Sequence, residues 1–236
     1  MGKTYAVSDL HGMYDLYRQV KEFIKPEDKV YCLGDCGDRG PDGWRIISEV
    51  YNDPQWIYLR GNHEDMLAKA IRFCRNYDYS DDYELLCYNG GGKTYEDWGK
   101  ETNWDLRWAN KLATLPTTAT YKNVMGLDIL LSHSGYNPVP EEDRSKPYTD
   151  YDFIWNRNHM NTGKWLGKEN EVIVHGHTPV QLARRAHNHQ TLLEIEQYCE
   201  GHKINIDCGS FFSGVSCLLD LDLLKANYFY TEPLKM

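Results

Sequence analysis

The sequence has no long apolar run, no Cys-x-x-Cys pair and no excess of positive charge. No stretch of its 236 residues approaches the roughly 20 apolar residues of a membrane-spanning helix, and no signal-peptide apolar region follows the N-terminus. The seven cysteines are scattered without a Cys-x-x-Cys pair, which argues against a zinc ribbon and a disulfide framework. These absences predict a cytoplasmic protein with no membrane segment.

The charge balance is acidic, with a formal net charge of −9 at pH 7. Such a balance disfavours nonspecific binding to nucleic acid or to anionic membranes. A hydrophobic content of 41% with 13% aromatic residues predicts an ordered globule. With no internal repeat and no low-complexity linker, residues 1–236 are predicted to form a single α/β domain, while the oligomeric state stays open.

Short apolar runs, each followed by polar residues, recur along the chain. Each run is rich in β-branched, leucine or aromatic residues and is interpreted as a buried strand. The runs are Thr4 to Val7, Lys29 to Leu33, Trp56 to Leu59, Leu127 to Leu131, and Val172 to Val174. In α/β sheets the carboxyl ends of strands are where ligands bind, since several loops meet there on a rigid scaffold.

The polar clusters after these strands combine carboxylate, imidazole and amide groups with arginines. They are Asp9 to Gly12, Gly34 to Gly40, Arg60 to Glu64, and Gly176 to Pro179. Hard cations prefer oxygen ligands, whereas imidazole suits manganese, iron and zinc. A lone aspartate in a turn is usually a backbone cap, and a lone buried histidine is usually an ordinary hydrogen-bonded group. The set as a whole predicts metal-assisted hydrolysis of phosphate esters.

These motifs resemble those of the metallophosphoesterases, and within them the phosphoprotein phosphatase branch with its small bacterial and bacteriophage members. That branch has Asp-x-His, then Gly-Asp-x-x-Asp-Arg-Gly, then Gly-Asn-His-Glu, then two later histidines. The resemblance covers roughly residues 3–220. The matching positions are Asp9, His11, Asp35, Asp38, Arg39, Asn62, His63, His133 in Ser-His-Ser-Gly, and His177 in Gly-His-Thr-Pro.

The resemblance implies a pair of divalent metal ions, with manganese preferred and iron or zinc as alternatives. The implied ligands are Asp9 and His11 for the first ion, Asn62, His133 and His177 for the second, and Asp35 as the bridge. A metal-bridging hydroxide would then attack the phosphorus directly, so that no covalent enzyme intermediate is expected.

The resemblance also implies roles for the remaining motif residues. His63 is expected to donate a proton to the leaving group, and Asp38 is expected to orient its imidazole. Arg39 and Arg60 are expected to bind the phosphate oxygens. Arg157, in Phe-Ile-Trp-Asn-Arg, matches the family's Trp-x-Arg segment more loosely and is predicted to be a third phosphate ligand.

Two positions near the motifs depart from the family pattern or stay ambiguous. Pro179 stands where many broader metallophosphoesterases have a second histidine, which leaves the first metal with fewer protein ligands and agrees with the phosphoprotein phosphatase branch. His175 precedes the Gly-His-Thr-Pro segment and is predicted to pack or to orient a ligand rather than to bind metal.

The resemblance implies two packed mixed β-sheets flanked by helices. Residues from about 64 to 115 are predicted to form a helical insert, divided by a loop at Asn89 to Gly92. The helical spacing there is carried by Met66, Leu67, Ala70, Ile71 and Cys74, and by Trp104, Trp108, Leu112 and Leu115. The later runs at 204–207, 215–220 and 227–230 are predicted to be strands of the second sheet.

The predicted function is a dinuclear-metal phosphatase that acts on phosphomonoesters, with phosphoserine or phosphothreonine in proteins as the preferred substrate. The alternative is a dinucleoside polyphosphate hydrolase, because relatives with that activity share the Gly-His-Thr-Pro segment and nearly every metal ligand. A noncatalytic phospho-ligand sensor is disfavoured, since such proteins should have lost a metal ligand or the acid His63, and none is missing.

Overall fold

The computed structural model describes residues 2–73, 81–139, 146–158, 165–186 and 193–234. The strands are β1 (Thr4–Val7), β2 (Lys29–Cys32), β3 (Trp56–Tyr58), β4 (Thr118–Lys122), β5 (Asp128–Ser132), β6 (Glu171–His175), β7 (Glu196–Tyr198), β8 (Lys203–Asn205), β9 (Val215–Asp220) and β10 (Lys225–Tyr230). The helices are α1 (Tyr14–Phe23), α2 (Gly43–Asn52), α3 (Asn62–Phe73), α4 (Asp81–Tyr88), α5 (Gly92–Thr102), α6 (Arg107–Ala113), α7 (Asp150–Ile154), α8 (Val180–Ala186) and α9 (Ser210–Ser213). Among these described helices, none has the length and apolar character that a membrane crossing requires.

The described strands form two mixed sheets, which confirms the predicted fold class. The first sheet has the order β10-β9-β1-β2-β3, and the second has the order β4-β5-β6-β8-β7. In the first sheet β1, β2 and β3 are parallel, and β9 is antiparallel to β1 and β10. In the second sheet β5, β6 and β8 are parallel, with antiparallel strands β4 and β7 at the edges.

Alternate side chains of β1 enter two different cores. Tyr5 and Val7 belong to an apolar cluster shared with the helices, whereas Ala6 belongs to a cluster shared with Leu131 and Val174 of the second sheet. Successive side chains of a strand point to opposite faces, so the first sheet packs against helices on one side and against the second sheet on the other.

The last two strands were predicted in the second sheet, and this prediction is wrong. β9 pairs with β1, so that Leu219 lies opposite Ala6, and β10 follows it as the edge strand. All six residues of β9 are buried: Leu218 packs in the helix-side core, and Cys217 lies in the core between the sheets. A strand with two buried faces requires cover on both sides, which this position in the first sheet supplies.

The predicted insert at 64–115 is helical in its described residues, which exclude 74–80 and therefore Cys74. It comprises α3 to α6, beginning at Asn62 and ending at Ala113. Trp104 is not on a helix, contrary to prediction: it lies between α5 and α6 with φ 58° and is 48% exposed. The cause is local, because the preceding Asn103 caps α5 in the left-handed conformation and turns the chain.

Candidate active site

The predicted metal ligands follow the carboxyl ends of parallel strands in both sheets. Each is at most 5% exposed, and the structure brings all of them into one buried cluster. They are Asp9 and His11 after β1, Asp35 after β2, Asn62 after β3, His133 after β5 and His177 after β6. Because the two sheets face each other, strand ends from both contribute to the same site.

A first group of ligand atoms surrounds His11. His11, Asp35 and His63 each place one such atom within 4.8 Å of the others. Nε2 of His11 lies 3.7 Å from Oδ2 of Asp35 and 3.9 Å from Oδ1 of Asp9. Nδ1 of His11 donates to the carbonyl of Gly37 at 3.0 Å, which fixes the ring and directs Nε2 into the site.

A second group surrounds His133. Asp35, His133 and His177 also place their ligand atoms within 4.8 Å of one another. Nε2 of His133 lies 3.3 Å from Oδ2 of Asp35, 2.9 Å from Oδ1 of Asn62 and 3.1 Å from Nδ1 of His177. Nδ1 of His133 donates to the carbonyl of Leu33 at 2.9 Å. Asp35 is therefore common to both groups.

This donor set fits divalent cations. Oδ1 of Asp9 is buried without a hydrogen-bond partner among the described residues, and a buried carboxylate oxygen normally has a partner. Burial lowers the pKa of His133, but the charge of Asp35 outweighs this effect and raises the pKa to about 9. The carboxylate charges around this buried imidazole therefore favour a positive charge in the site, and carboxylate, imidazole and amide groups are ligands that divalent cations accept.

His63 and Asp38 form a buried hydrogen-bonded pair beside the first group. Nδ1 of His63 donates to Oδ2 of Asp38 at 2.6 Å, and Nε2 lies 3.7 Å from Oδ2 of Asp35. Burial lowers the pKa of His63, but the Asp35 charge and the Asp38 hydrogen bond outweigh burial and raise it. Asp38 thus holds the ring through Nδ1, and Nε2 faces the cluster, where it accepts from Nη2 of Arg39 at 3.2 Å.

Two of the three predicted arginines lie at this cluster. Nη1 of Arg39 donates to Nε2 of His11 at 2.9 Å, and its guanidinium covers the ring of Phe211 at 4.6 Å from the centroid. Arg157 is exposed and donates from Nη1 to Oγ1 of Thr178 at 3.2 Å, next to His177. Both guanidinium groups therefore flank the imidazoles, with Arg157 open to solvent.

Residues 2–208 match the family model of the calcineurin-like phosphoesterases. The chain belongs to this family. The family is dinuclear metal-dependent, and the two ligand groups of this phosphoesterase are its candidate metal-binding residues. Family membership also supports the hydrolysis of phosphoric esters.

Similar proteins include nucleotide hydrolases and a protein phosphatase. The asymmetrical bis(5'-nucleosyl)-tetraphosphatase PrpE of Oceanobacillus iheyensis is 24% identical over an alignment of 238 positions, which covers 89% of this chain and 85% of that protein. The symmetrical bis(5'-nucleosyl)-tetraphosphatase of Nitrosospira multiformis is 33% identical over 82 residues, but these cover only 33% of this chain and 30% of that protein.

Two solved structures share the fold over nearly the whole chain. One, provisionally described as a diadenosine tetraphosphatase, has a TM-score of 0.61 at 14% identity and covers 97% of this chain and 93% of its own. The other, a protein serine/threonine phosphatase from Saccharomyces cerevisiae, has a TM-score of 0.60 at 12% identity and covers 99% and 81%. At these identities they establish the fold of the phosphoesterase and no more.

The remaining predicted phosphate ligand, Arg60, points elsewhere in the phosphoesterase. It is 8% exposed, donates from Nη1 to the carbonyl of Ala113 at 2.6 Å and pairs through Nη2 with the carboxylate of Asp150. A second carboxylate, that of Asp65, lies 3.9 Å from Nη1. The guanidinium thus joins α3, α6 and α7, and its role as a phosphate ligand stays a prediction.

The phosphoesterase site also depends on Glu64, to which no role was assigned from the sequence. Oε2 of Glu64 accepts from the backbone N–H groups of Asp35 and Gly61, both at 2.8 Å. Oε1 accepts from the N–H of Cys36 at 3.0 Å and from the hydroxyl of Tyr58 at 2.8 Å. One carboxylate therefore ties together the loops after β2 and β3. The available signal was its place at the end of the Gly-Asn-His-Glu motif.

His175 makes contacts typical of a packed histidine. It is fully buried, Nδ1 donates to the carbonyl of Gly176 at 3.0 Å, and Nε2 accepts from the hydroxyl of Tyr198 at 2.7 Å. Burial lowers its pKa to about 3, so the ring is neutral. These contacts support the predicted packing role in this phosphoesterase.

Proposed function

We propose that this phosphoesterase hydrolyses dinucleoside polyphosphates at a dinuclear metal centre. The reaction class depends on one observation, the convergence of both ligand groups on Asp35. Its Oδ2 lies 3.7 Å from Nε2 of His11 and 3.3 Å from Nε2 of His133, so a single carboxylate is placed to serve two cations.

The proposed ligands divide between the two groups. Asp9 and His11 would hold one ion, Asn62, His133 and His177 would hold the other, and Asp35 would serve both. Bound ions would neutralise phosphate charge and make a water molecule acidic enough to act near neutral pH. We propose manganese, because the set mixes hard oxygen and imidazole ligands, with iron or zinc as alternatives.

The remaining residues act on the phosphate and the leaving group. His63 donates the proton on Nε2 to the departing oxygen, while Asp38 holds the ring through Nδ1. Arg39, which already reaches Nε2 of both His11 and His63, binds the phosphate oxygens together with Arg157. Arg60 would join them only if its guanidinium left the carboxylate of Asp150 in α7 and bound the phosphate instead.

The substrate proposal is supported by the relative from Oceanobacillus iheyensis, which is named an asymmetrical bis(5'-nucleosyl)-tetraphosphatase and aligns along nearly the whole chain. Phosphoserine or phosphothreonine in proteins is the second candidate. It is favoured by the phosphoprotein phosphatase motifs, including Pro179 in place of a second histidine. We also propose a cytoplasmic location, which rests on the scattered cysteines.

The two substrates can be compared directly. The manganese-loaded protein would be given diadenosine tetraphosphate and a phosphoserine peptide at equal concentration, with nucleotide products separated by chromatography and inorganic phosphate measured from the peptide. The Asp35→Asn protein, purified identically, controls for a contaminating phosphatase. Faster turnover of the dinucleotide supports the proposal, and faster turnover of the peptide replaces it with the second candidate. Turnover of neither, nor of p-nitrophenyl phosphate, would refute the reaction class.

A further inference from the structure

Helix α5 of the insert contacts the His63–Asp38 pair through one hydroxyl. Thr94, in α5, is 1% exposed, and its Oγ1 accepts the backbone N–H of Asp38 at 2.9 Å. The two residues are separated by 56 positions in the sequence. We propose that Thr94 is a positioning residue for proton transfer: it holds Asp38, Asp38 holds His63, and His63 protonates the leaving group.

The backbone of Asp38 needs such support. Asp38 and Arg39 have φ values of 67° and 66°, in the left-handed region that side-chain-bearing residues seldom adopt. Conformations of this kind persist only where the surrounding structure imposes them. Both N–H groups find their acceptors in the insert, Asp38 at Thr94 and Arg39 at the carbonyl of Gly90 at 2.9 Å.

The same segment of the insert limits the movement of the Asp38 carboxylate. A Cβ added at Gly91 would lie 2.8 Å from Oδ2 of Asp38, the oxygen that accepts the proton of His63. A Cβ added at Gly43 would lie 2.4 Å from Oγ1 of Thr94. The backbone of Gly91 therefore lies close to the carboxylate and that of Gly43 close to the hydroxyl, which limits the movement of each group.

A displaced Asp38 carboxylate would impair protonation of the leaving group more than the other steps of the reaction. Small misplacements of a reacting group reduce its contribution steeply, by about 10²-fold for 1 Å. An alkyl phosphate needs a proton at its departing oxygen, whereas p-nitrophenolate leaves readily without one. Loss of the Thr94 acceptor should therefore slow alkyl esters and spare aryl esters.

The test compares Thr94→Val, which keeps the shape and removes the acceptor, with Thr94→Ser, which keeps the acceptor. Thr102→Val is the control at another hydroxyl of α5, which bonds within the helix to the carbonyl of Trp98. With the manganese-loaded proteins we expect Thr94→Val to lower kcat on an alkyl phosphate by about 10-fold or more and on p-nitrophenyl phosphate by less than about twofold. Thr94→Ser should recover most of the loss, and Thr102→Val should show none.

A second readout does not depend on turnover. In the zinc-loaded, diamagnetic protein the Nδ1 proton of His63 should give a downfield NMR signal, assigned by its loss in His63→Asn. Thr94→Val should shift or broaden this signal, and Thr94→Ser should retain it. If Thr94→Val does not fold, Thr94→Ala, which suits a helix better, takes its place.

Equal losses on both esters, or no loss on either, would overturn the positioning role, as would an unchanged NMR signal. The inference rests on the proposed function, but different results would refute the positioning role and the proposed function. A wild-type protein that hydrolyses neither these esters nor diadenosine tetraphosphate refutes the proposed function, while the NMR comparison still decides whether Thr94 positions His63.

Discussion

Nδ1 of His63 donates a hydrogen bond to Oδ2 of Asp38 at 2.6 Å, and both side chains are buried. The pairing leaves Nε2 of His63 facing the metal ligands, where it lies 3.7 Å from Oδ2 of Asp35. In the proposed mechanism this carboxylate–imidazole pair protonates the leaving group.

Replacement of His63 by asparagine should leave metal binding intact and slow turnover. The amide is similar in size but carries no transferable proton, so we expect a fall of roughly 10²–10⁴-fold in kcat on an alkyl phosphate. Metal occupancy measured by calorimetry should match the wild type. An unchanged rate on the alkyl ester would remove His63 from the proposed mechanism.

Replacement of Asp35 by asparagine should be more damaging than the His63 change. Asp35 serves both ligand groups, and its Oδ1 also accepts the backbone N–H of His63 at 3.0 Å. An amide loses the negative charge that both cations need, so calorimetry should show fewer than two bound manganese ions and turnover should fall further. Asp15→Asn, at an exposed aspartate of α1, is the control. Full occupancy with normal turnover would contradict the bridging role.

The convergence of the candidate ligands could be predicted from the sequence because each lies shortly after a strand with a local apolar signal. Asp9, Asp35 and His133 are examples, and their convergence follows from the geometry of parallel strands. Neither the pairing of Arg60 with Asp150, 90 positions away, nor the Thr94 contact has such a signal. These contacts are decided by how separate elements pack, which local periodicity does not encode.

The prediction that β9 belongs to the second sheet was wrong for the same reason. Its apolar pattern identifies a strand, but the choice of partner depends on which buried surface can cover both faces. The sequence therefore predicted two sheets and their ligand-bearing edges, yet assigned this strand to the wrong sheet.

Replacement of Glu64 by glutamine should destabilise the fold. Each carboxylate oxygen accepts two hydrogen bonds, and Glu64 is fully buried. The amide nitrogen of glutamine would face two donors instead, which leaves buried donors without acceptors. We expect a loss of about 3 kcal/mol in the free energy of unfolding, measured by urea denaturation.

An exposed glutamate on a helix provides the control for that change. Glu96, in α5, is 61% exposed and lies 3.3 Å from Nζ of Lys100. Glu96→Gln should alter the free energy of unfolding by less than about 0.5 kcal/mol, since exposed ion pairs of this kind contribute little. If Glu64→Gln were no more destabilising than Glu96→Gln, the proposed clamp between the β2 and β3 loops would be wrong.

The buried lysine of β8 should make stability depend on pH. Lys203 is 1% exposed, its ammonium donates to Oδ1 of Asn137, and burial lowers its pKa to about 8. Between pH 8 and about 10.5 the unfolded chain keeps this proton while the folded protein has released it, so stability should rise with pH over this range. The gain from this group is up to about 3 kcal/mol. Urea unfolding of the wild type and of Lys203→Met from pH 7 to 10.5 isolates the contribution of this lysine. The free energy of unfolding of the wild type should rise relative to that of the variant as the pH rises. If the two free energies changed in parallel with pH, Lys203 would titrate normally.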